Sequence, residues 1–347
     1  MNVSVEKTRY SKGRQLINYN EEGIELREIL PSSPYNDIWY RDCYYMALFQ
    51  VMKILECDVS TIILNDVPLL KLNDFKSELE IEYYSLMQHE ESLLQQGIKL
   101  SRYPLDDYAP LLIQETIQMK NGILVSTDHY YNPLKHISYK NKHQHHLITI
   151  NGYDTAHGLY FIIDDSLGGG YKQLELSFSD MHRSMQSAAE LGYGNGRVLW
   201  QYERVNIPQT NIHDIIKNYS EFILENIKAL HGNVDEIESM RLHVDSVSVY
   251  DIVELSGPLN GSLWHVKCCF EVELYRLKRF FADNVQLIAF MEEVARNFSI
   301  IWSMLYKISY TKQARLSDKN NILKRLDDIS QNLMDYYSAI ERGGFDV

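Results

Sequence analysis

Directly after Cys43, apolar residues recur every three or four positions, which is the spacing of one face of a helix. The positions are Tyr44, Ala47, Leu48, Val51, Ile54 and Leu55. Asp42 comes just before this run, where an aspartate side chain accepts hydrogen bonds from the free amides of the first helical turn. The pattern therefore predicts a helix capped by Asp42, with Cys43 at or near its first turn.

The flanking segments give weaker patterns. Residues 1–35 are interpreted as a lead-in with one or two short strands. Residues 76–98 are predicted to be a charged amphipathic helix, and residues 108–120 a further helix that ends at Asn121-Gly122.

The pattern then changes to that of strands. Gly122–Asp128 is strand-like, and two further strands are predicted over His146–Asp154 and Leu159–Asp164. The short connection Thr155–Gly158 ends in glycine, which favours an antiparallel hairpin. In such a hairpin the end of the second strand lies alongside the start of the first, so Asp164 is expected near His146.

After Pro208 the chain becomes helical in character. Helices are predicted over 211–232, with Asn211 as the cap, within 268–310, and over 317–341. We therefore predict an α+β protein with a boundary near residues 207–211. Its two domains are residues 1–208, with an antiparallel sheet and a central helix, and residues 209–347, mainly helical.

Composition restricts the class of partner. The formal net charge is −13, from 34 basic and 47 acidic residues, and a field of that sign repels phosphate backbones, so no nucleic acid partner is expected. The four cysteines contain no CxxC pair. Because the N-terminal residues lack the apolar core of a signal peptide and no long apolar run follows, we predict a cytoplasmic protein with no membrane span.

The chemistry is predicted to reside in a thiol and an imidazole. A cysteine attacks as its thiolate, and a helix N-terminus and a nearby imidazolium both stabilise that charge. Cys43 has the first of these, and the first-turn amides offer a place for an oxyanion. His146 is then the candidate base and Asp164 the acid that orients it. The alternative for a single cysteine is a buried structural residue on an apolar helix face.

For the base and for the orienting acid, the adjacent residue in the sequence is an alternative candidate. His146 directly precedes the apolar run and shares a strand face with Ile148 and Ile150, which favours it over His145. Asp164 directly follows its strand, whereas Asp165 begins the turn. The tract His143–His146 is also compatible with a metal site, but no acidic or thiol ligand is close in sequence, so no metal is expected.

Three segments resemble a known family. They are DCYYMALFQVMKI, HHLITINGYD and LYFIIDDSLGG. They resemble the C39-like branch of the papain fold and, more narrowly, the butirosin biosynthesis protein H family, over about residues 30–205; a following helical domain is typical of that family. The resemblance implies a papain-like catalytic domain with Cys43 as nucleophile, His146 as general base and acid, and Asp164 as the orienting acid.

The same resemblance implies a reaction. Such an acyltransferase takes an acyl group from the phosphopantetheine thioester of an acyl carrier protein or peptidyl carrier domain, forms an acyl-cysteine, and passes the acyl group to an amine of a small natural product. No bound cofactor is expected. An acidic carrier would need a local basic patch, for which Arg41, Lys135, Lys140 and Lys142 are candidates.

Related proteases place a glutamine six residues before the cysteine to stabilise the oxyanion. Here Asp37 is at that position, and an ionised carboxylate cannot donate a hydrogen bond. Asn36 or backbone amides are the candidate donors instead.

Two other functions remain open. The same triad would serve a cysteine peptidase or a thioester hydrolase, and the third alternative is a papain-like protein that only binds. The acyl group, the acceptor, its binding residues and a possible homodimer are not determined by the sequence.

Overall fold

A computed structural model describes residues 27–73, 78–165, 169–206, 210–343 and 345. Its strands are β1 (Arg27–Ile29), β2 (Asp66–Asn73), β3 (Glu78–Ser85), β4 (Ile98–Tyr103), β5 (Gly122–Asp128), β6 (His145–Asp154), β7 (Leu159–Asp165), β8 (Tyr171–Ser177) and β9 (Leu199–Arg204). Its helices are α1 (Cys43–Ile54), α2 (Ser60–Ile63), α3 (His89–Gln95), α4 (Ala109–Gln118), α5 (Phe178–Glu190), α6 (Ile212–Ser246), α7 (Val249–Phe280), α8 (Val285–Thr311) and α9 (Leu316–Gly343). The predicted lead-in lies mostly outside the described residues, as do the N-terminal residues that lack the apolar core of a signal peptide.

The chain divides into two compact units. The first contains the described residues of 1–37, 42–59 and 93–209, and the second those of 38–41, 60–92 and 210–347. The division near residue 209 coincides with the predicted boundary, but residues 38–41 and 60–92 belong to the second unit. The physical reason is that β2 and β3 form a hairpin whose backbone and side chains bond to the long helices, as in the bond from the Leu70 amide to the Asn233 side chain of α6 (2.7 Å).

The first unit is built on an antiparallel sheet. Its described strands follow the order β4-β9-β5-β6-β7-β8, and β1 pairs with the last residues of β6. The predicted strand Gly122–Asp128 and the hairpin are confirmed, with Gly158 at φ +64° in the turn. One face buries an apolar layer against α4 and α5 that includes Ile148, Ile150 and Ile162.

Helix α1 crosses this unit as a central element. It begins at Cys43, and Asp42 caps it by accepting from the amides of Tyr44 and Tyr45. Its middle, Met46–Met52, is buried. A methyl group on Gly122 would lie 2.3 Å from the Val51 side chain, so α1 contacts the backbone of β5 directly. The predicted helix and cap are confirmed, together with the sheet and central helix of an α+β fold.

A β-bulge in β6 sets the face on which Asp164 lies. Asp154 pairs with Leu159, but beyond Asn151 the register shifts by one residue, to Ile150 opposite Ile162. Continued by two residues, the shifted register places Asp164 opposite Ile148, on the face that also carries His146. Without the bulge, Asp164 would lie opposite Thr149 on the other face.

Glycine is required beside this bulge. A methyl group on Gly152 would lie 2.6 Å from the backbone oxygen of Glu28 in β1. The Leu30 amide also bonds to the backbone oxygen of Asn151 (2.7 Å). The close approach of β1 therefore supports the register on which Asp164 depends.

One helix prediction is wrong and one helix was not predicted. Most of the predicted helix over 76–98 is strand β3, with only the short helix α3 behind it. In β3, Leu79, Ile81 and Tyr83 alternate with glutamates, a period of two that pairing with β2 stabilises. Helix α5 had no prediction, although Ser177 caps it by accepting from the Asp180 amide (3.1 Å).

The second unit buries a helical core. The predicted helices near 211–232, 268–310 and 317–341 are confirmed, but the first extends to Ser246, and the second is divided between α7 and α8. The core joins α6, α7, α8 and α9 with the β2–β3 hairpin.

Inside this core lies a network of charges around Arg276, which is 1% exposed. The Arg276 guanidinium donates to Asp66 (2.9 Å), to Glu273 (2.9 Å) and to the Ile63 backbone oxygen (2.8 Å). Asp66 also accepts from the Tyr40 hydroxyl (2.6 Å) and from Arg41 (2.9 Å). All three guanidinium nitrogens are therefore hydrogen-bonded.

Candidate active site

Cys43 occupies the first position of α1 and is partly exposed. The other three cysteines, Cys57, Cys268 and Cys269, are buried. Burial raises the pKa of the Cys268 and Cys269 thiols to about 12 in each case, and that of Cys57 above its ordinary value. Cys43 thus combines access with the positive end of a helix, which the buried thiols lack.

His146 faces Asp164 across a short hydrogen bond. Its Nε2 lies 2.6 Å from Asp164 Oδ1, and both side chains are buried. Asp165 Oδ1 is 3.3 Å from the same nitrogen. Since Nε2 is occupied by the carboxylates, Nδ1 is the ring nitrogen left to interact with Cys43.

The surroundings favour the protonated form of His146. Burial by itself would lower its pKa, but the charge and hydrogen bond of Asp164 outweigh this, with further contributions from Asp165 and from hydrogen bonding with the Cys43 side chain. The net effect holds the pKa of His146 well above its ordinary value. An imidazolium beside a thiol is the arrangement that stabilises a thiolate near neutral pH.

Lys135 completes the cluster from the connection between β5 and β6. Its Nζ lies 3.0 Å from Asp164 Oδ2 and also contacts Asp165 Oδ1. Hydrogen bonding with His146 and the charge of Lys135 lower the pKa of Asp165 well below its usual range. Two carboxylates thus face two cationic groups, and each oxygen of Asp164 has its own partner.

His129 was not singled out by the sequence. Its ring centroid lies 4.6 Å from that of His146, and its Nε2 is buried with no hydrogen-bond partner among the described residues. Burial, followed by the charges of His146 and Lys135, lowers the pKa of His129 to about 3. His129 is therefore a neutral neighbour of the candidate base.

The histidine tract diverges into separate environments. His143 bonds to Asp128 (2.6 Å), His145 bonds to Ser126 (2.8 Å), and His146 bonds to Asp164. The structure thus brings His146, and not His145, to the acid. His146, Asp164 and Asp165 do offer three ligand atoms within 4.8 Å of one another, but the Lys135 ammonium already binds both carboxylates there, which is unfavourable for a metal ion.

The candidate oxyanion donors are the Asn36 side chain, which is partly used in other hydrogen bonds, and a backbone amide. Asn36 donates from Nδ2 to the Tyr171 backbone oxygen (3.1 Å) and accepts at Oδ1 from the Tyr171 amide (2.6 Å). Only its second Nδ2 hydrogen is left for a substrate, so Asn36 is anchored to β8. In α1, no described residue accepts from the Cys43 backbone amide, which makes that amide the second candidate donor.

The predicted basic patch is reduced by internal pairing. Arg41 is held by Asp66 within the second unit and lies 4.0 Å from the Tyr83 ring centroid. Lys135 is held by Asp164 and Asp165. Lys140 and Lys142 are exposed and remain the candidates for docking an acidic partner.

Comparison with known proteins identifies no family for this chain. No protein-family model matches this chain, and no curated protein matches it. In the described part of the chain, no helix has both the length and the apolar character needed to cross a membrane.

Proposed function

We propose that this protein is a cysteine-dependent acyltransferase with a papain-like catalytic unit, acting in the cytoplasm. The observation that carries the proposal is the arrangement of an accessible thiol at a helix N-terminus beside a carboxylate-bound imidazole. The pairing of His146 with Asp164 supports it, because a buried histidine with two carboxylates is well suited to shuttle one proton between a thiol and a leaving group.

The proposed first step forms an acyl-cysteine. The Cys43 thiolate attacks the thioester carbonyl of an acyl group on the phosphopantetheine of a carrier protein. The new carbon–sulfur bond to Cys43 forms as the bond to the pantetheine sulfur breaks, and the leaving thiolate takes the proton of His146. The Cys43 amide and the free Nδ2 hydrogen of Asn36 are the candidate donors to the oxyanion.

The second step transfers the acyl group. An amine of a small natural product attacks the acyl-cysteine, neutral His146 accepts the amine proton, and the Cys43 sulfur leaves as thiolate. Asp164 stabilises the imidazolium formed in this step. The exposed Lys140 and Lys142 are the proposed contacts for the acidic carrier.

Mass spectrometry of the intact protein, mixed with acyl-loaded carrier proteins, tests this function. We expect a mass gain of one acyl group in the native protein and in Cys57→Ala, and none in Cys43→Ala. Addition of candidate amines should then regenerate free enzyme with formation of the amide. Acyl loss to water with every amine would instead assign the hydrolase, and no mass gain with any thioester would contradict acyl transfer.

A further inference from the structure

Lys135 is an unusual lysine for an acidic surface because its side chain is only 9% exposed. Its ammonium lies 3.0 Å from Asp164 Oδ2 and 3.2 Å from the backbone oxygen of Asp165, and it contacts Asp165 Oδ1. The first of these contacts is an ion pair with the oxygen of Asp164 that His146 does not use. Lys135 therefore fixes the rotation of the Asp164 carboxylate.

The connection that carries Lys135 is itself held at both ends. Asp128 accepts from the amides of Tyr130 (3.1 Å) and Gln144 (3.0 Å), the second and the last residue of the connection. The Asp128 carboxylate also accepts from Ser187 of α5 (2.7 Å). Further bonds, such as Lys140 amide to Tyr130 oxygen (3.0 Å), order the interior. The ammonium is thus directed by a fixed backbone, not by a flexible surface loop.

We propose that Lys135 is a positioning residue that clamps Asp164 and Asp165, so that Asp164 presents one oxygen to His146, and that it sets the pH range in which the Cys43–His146 pair reacts. This proposal rests on the proposed function, because it gives Lys135 a task in the same site. It replaces the docking role predicted for Lys135 from its charge alone.

The sign of the effect follows from the charges around His146. The groups that interact with it directly are Asp164 and Asp165 of β7, Cys43 at the start of α1, His129 of the connection and His145 of β6. Lys135, Asp42 and Tyr171 interact with these neighbours. Removal of the Lys135 charge makes this site more negative. A more negative site holds the proton on His146 to higher pH and disfavours the Cys43 thiolate. Both limbs of the plot of Cys43 alkylation rate against pH, the acidic and the basic, should therefore move to higher pH.

The experiment measures alkylation of Cys43 by iodoacetamide, a neutral reagent, as a function of pH. In Lys135→Met we expect both limbs to shift to higher pH by about one unit, which is the lower end of the shift that one neighbouring charge produces in a pKa. Lys135→Arg, which keeps the charge, should restore the native limbs. Lys99→Met removes an exposed charge from β4 of the same unit and should leave both limbs in place.

Other results separate the alternatives. A lower plateau with unmoved limbs in Lys135→Met would show a structural role only and overturn the proposal. Unchanged alkylation together with lost acylation by carrier proteins would assign Lys135 to docking, which also overturns it. Alkylation uses no acyl donor, so a shifted profile without acyl transfer would reject the proposed function and keep Lys135 as a positioning residue.

A second measurement is independent of thiol reactivity. NMR titration of the His146 ring in the native protein and in Lys135→Met should give a higher midpoint in the variant. Equal midpoints would reject the proposal even if Cys43 could not be labelled in either protein.

Discussion

Among the described residues, each unit contains a buried cluster of charge, and the two clusters differ in the chemistry of their central group. Around Arg276, all three guanidinium nitrogens bond to a carboxylate or a backbone oxygen, and Asp66 is shared with Tyr40 and Arg41. Around His146, the carboxylates are also paired, but the centre is an imidazole that also hydrogen-bonds with a thiol. The Arg276 guanidinium stays charged near neutral pH, whereas an imidazole can gain or lose a proton there.

The cysteines beside the two clusters differ in exposure and in surroundings. Cys269 bonds to the Tyr83 hydroxyl (2.9 Å), and burial raises the pKa of its thiol to about 12. Cys43 is partly exposed at a helix N-terminus beside an imidazolium. Buried charge by itself therefore does not indicate a reactive site; an accessible group that titrates must be part of it.

The largest expected effect separates these two thiols. Iodoacetamide should label the native, folded protein once, and Cys43→Ala should abolish that label, because Cys43 is partly exposed at a helix N-terminus whereas the other three cysteines are buried. Cys269→Ala is the matched control and should be labelled as the native protein is. Peptide mapping after short exposure measures both, and labelling of Cys57 before Cys43 would contradict the assignment.

Loss of the Arg276 cluster should lower the stability of the second unit and leave the reactivity of Cys43 unchanged. Arg276→Met leaves Asp66 and Glu273 without their buried cation, and the free energy of unfolding should fall by about 3–5 kcal/mol. Urea unfolding followed by circular dichroism measures the loss. Arg279→Met, at an exposed position of the same helix, should change it by less than about 0.5 kcal/mol; equal losses would mean that the Arg276 network contributes little.

Asp164→Asn tests the first cluster through reactivity. Without the Asp164 charge, burial should dominate and lower the pKa of His146, so the neutral thiol–imidazole form replaces the ion pair. We expect the alkylation rate of Cys43 at pH 7 to fall by about tenfold to a thousandfold, since such a charge shifts a pKa by about 1–3 units. Asp165→Asn should have the smaller effect, because Asp165 is half exposed and lies 3.3 Å from the ring.

The smallest expected effect concerns the backbone beneath the first cluster. Gly152→Ala places a methyl group 2.6 Å from the Glu28 oxygen, and overpacking of this kind costs about 1–3 kcal/mol. Gly232→Ala in α6, where a methyl group meets open space, should stabilise the protein slightly. Thermal unfolding compares the two variants; a stable Gly152→Ala protein would show that β1 can move away from the bulge.

Local signals in the sequence were enough to predict the parts of the site that depend on local structure. Asp42 caps α1 by bonds to amides two and three residues ahead, and Gly158 closes a hairpin whose strands alternate, so both were predictable. The choice between Asp164 and Asp165 was not, because it depends on the bulge at Asn151. That bulge is supported by β1, more than 100 residues earlier in the chain.

Lys135 and His129 were missed as site residues for a different reason. They lie in a connection without helical or strand periodicity, and its path is set by the bonds of Asp128. The error over 76–98 arose because alternating glutamate and apolar residues fit a charged helix as well as a strand, and only pairing with β2 decides between them. The helices of the second unit were predictable because their apolar faces are long.

The Asp66–Arg276 and Leu70–Asn233 bonds have a consequence for the biogenesis of the protein. They join residues 210 and 163 positions apart. On the ribosome, the β2–β3 hairpin is therefore complete on the order of ten seconds before the helices that cover it have been synthesised. During that interval its apolar side chains, such as Val67 and Leu79, must be shielded by chaperones or by transient collapse. Slow translation of the segment between residues 93 and 210 should therefore lower the yield of native protein.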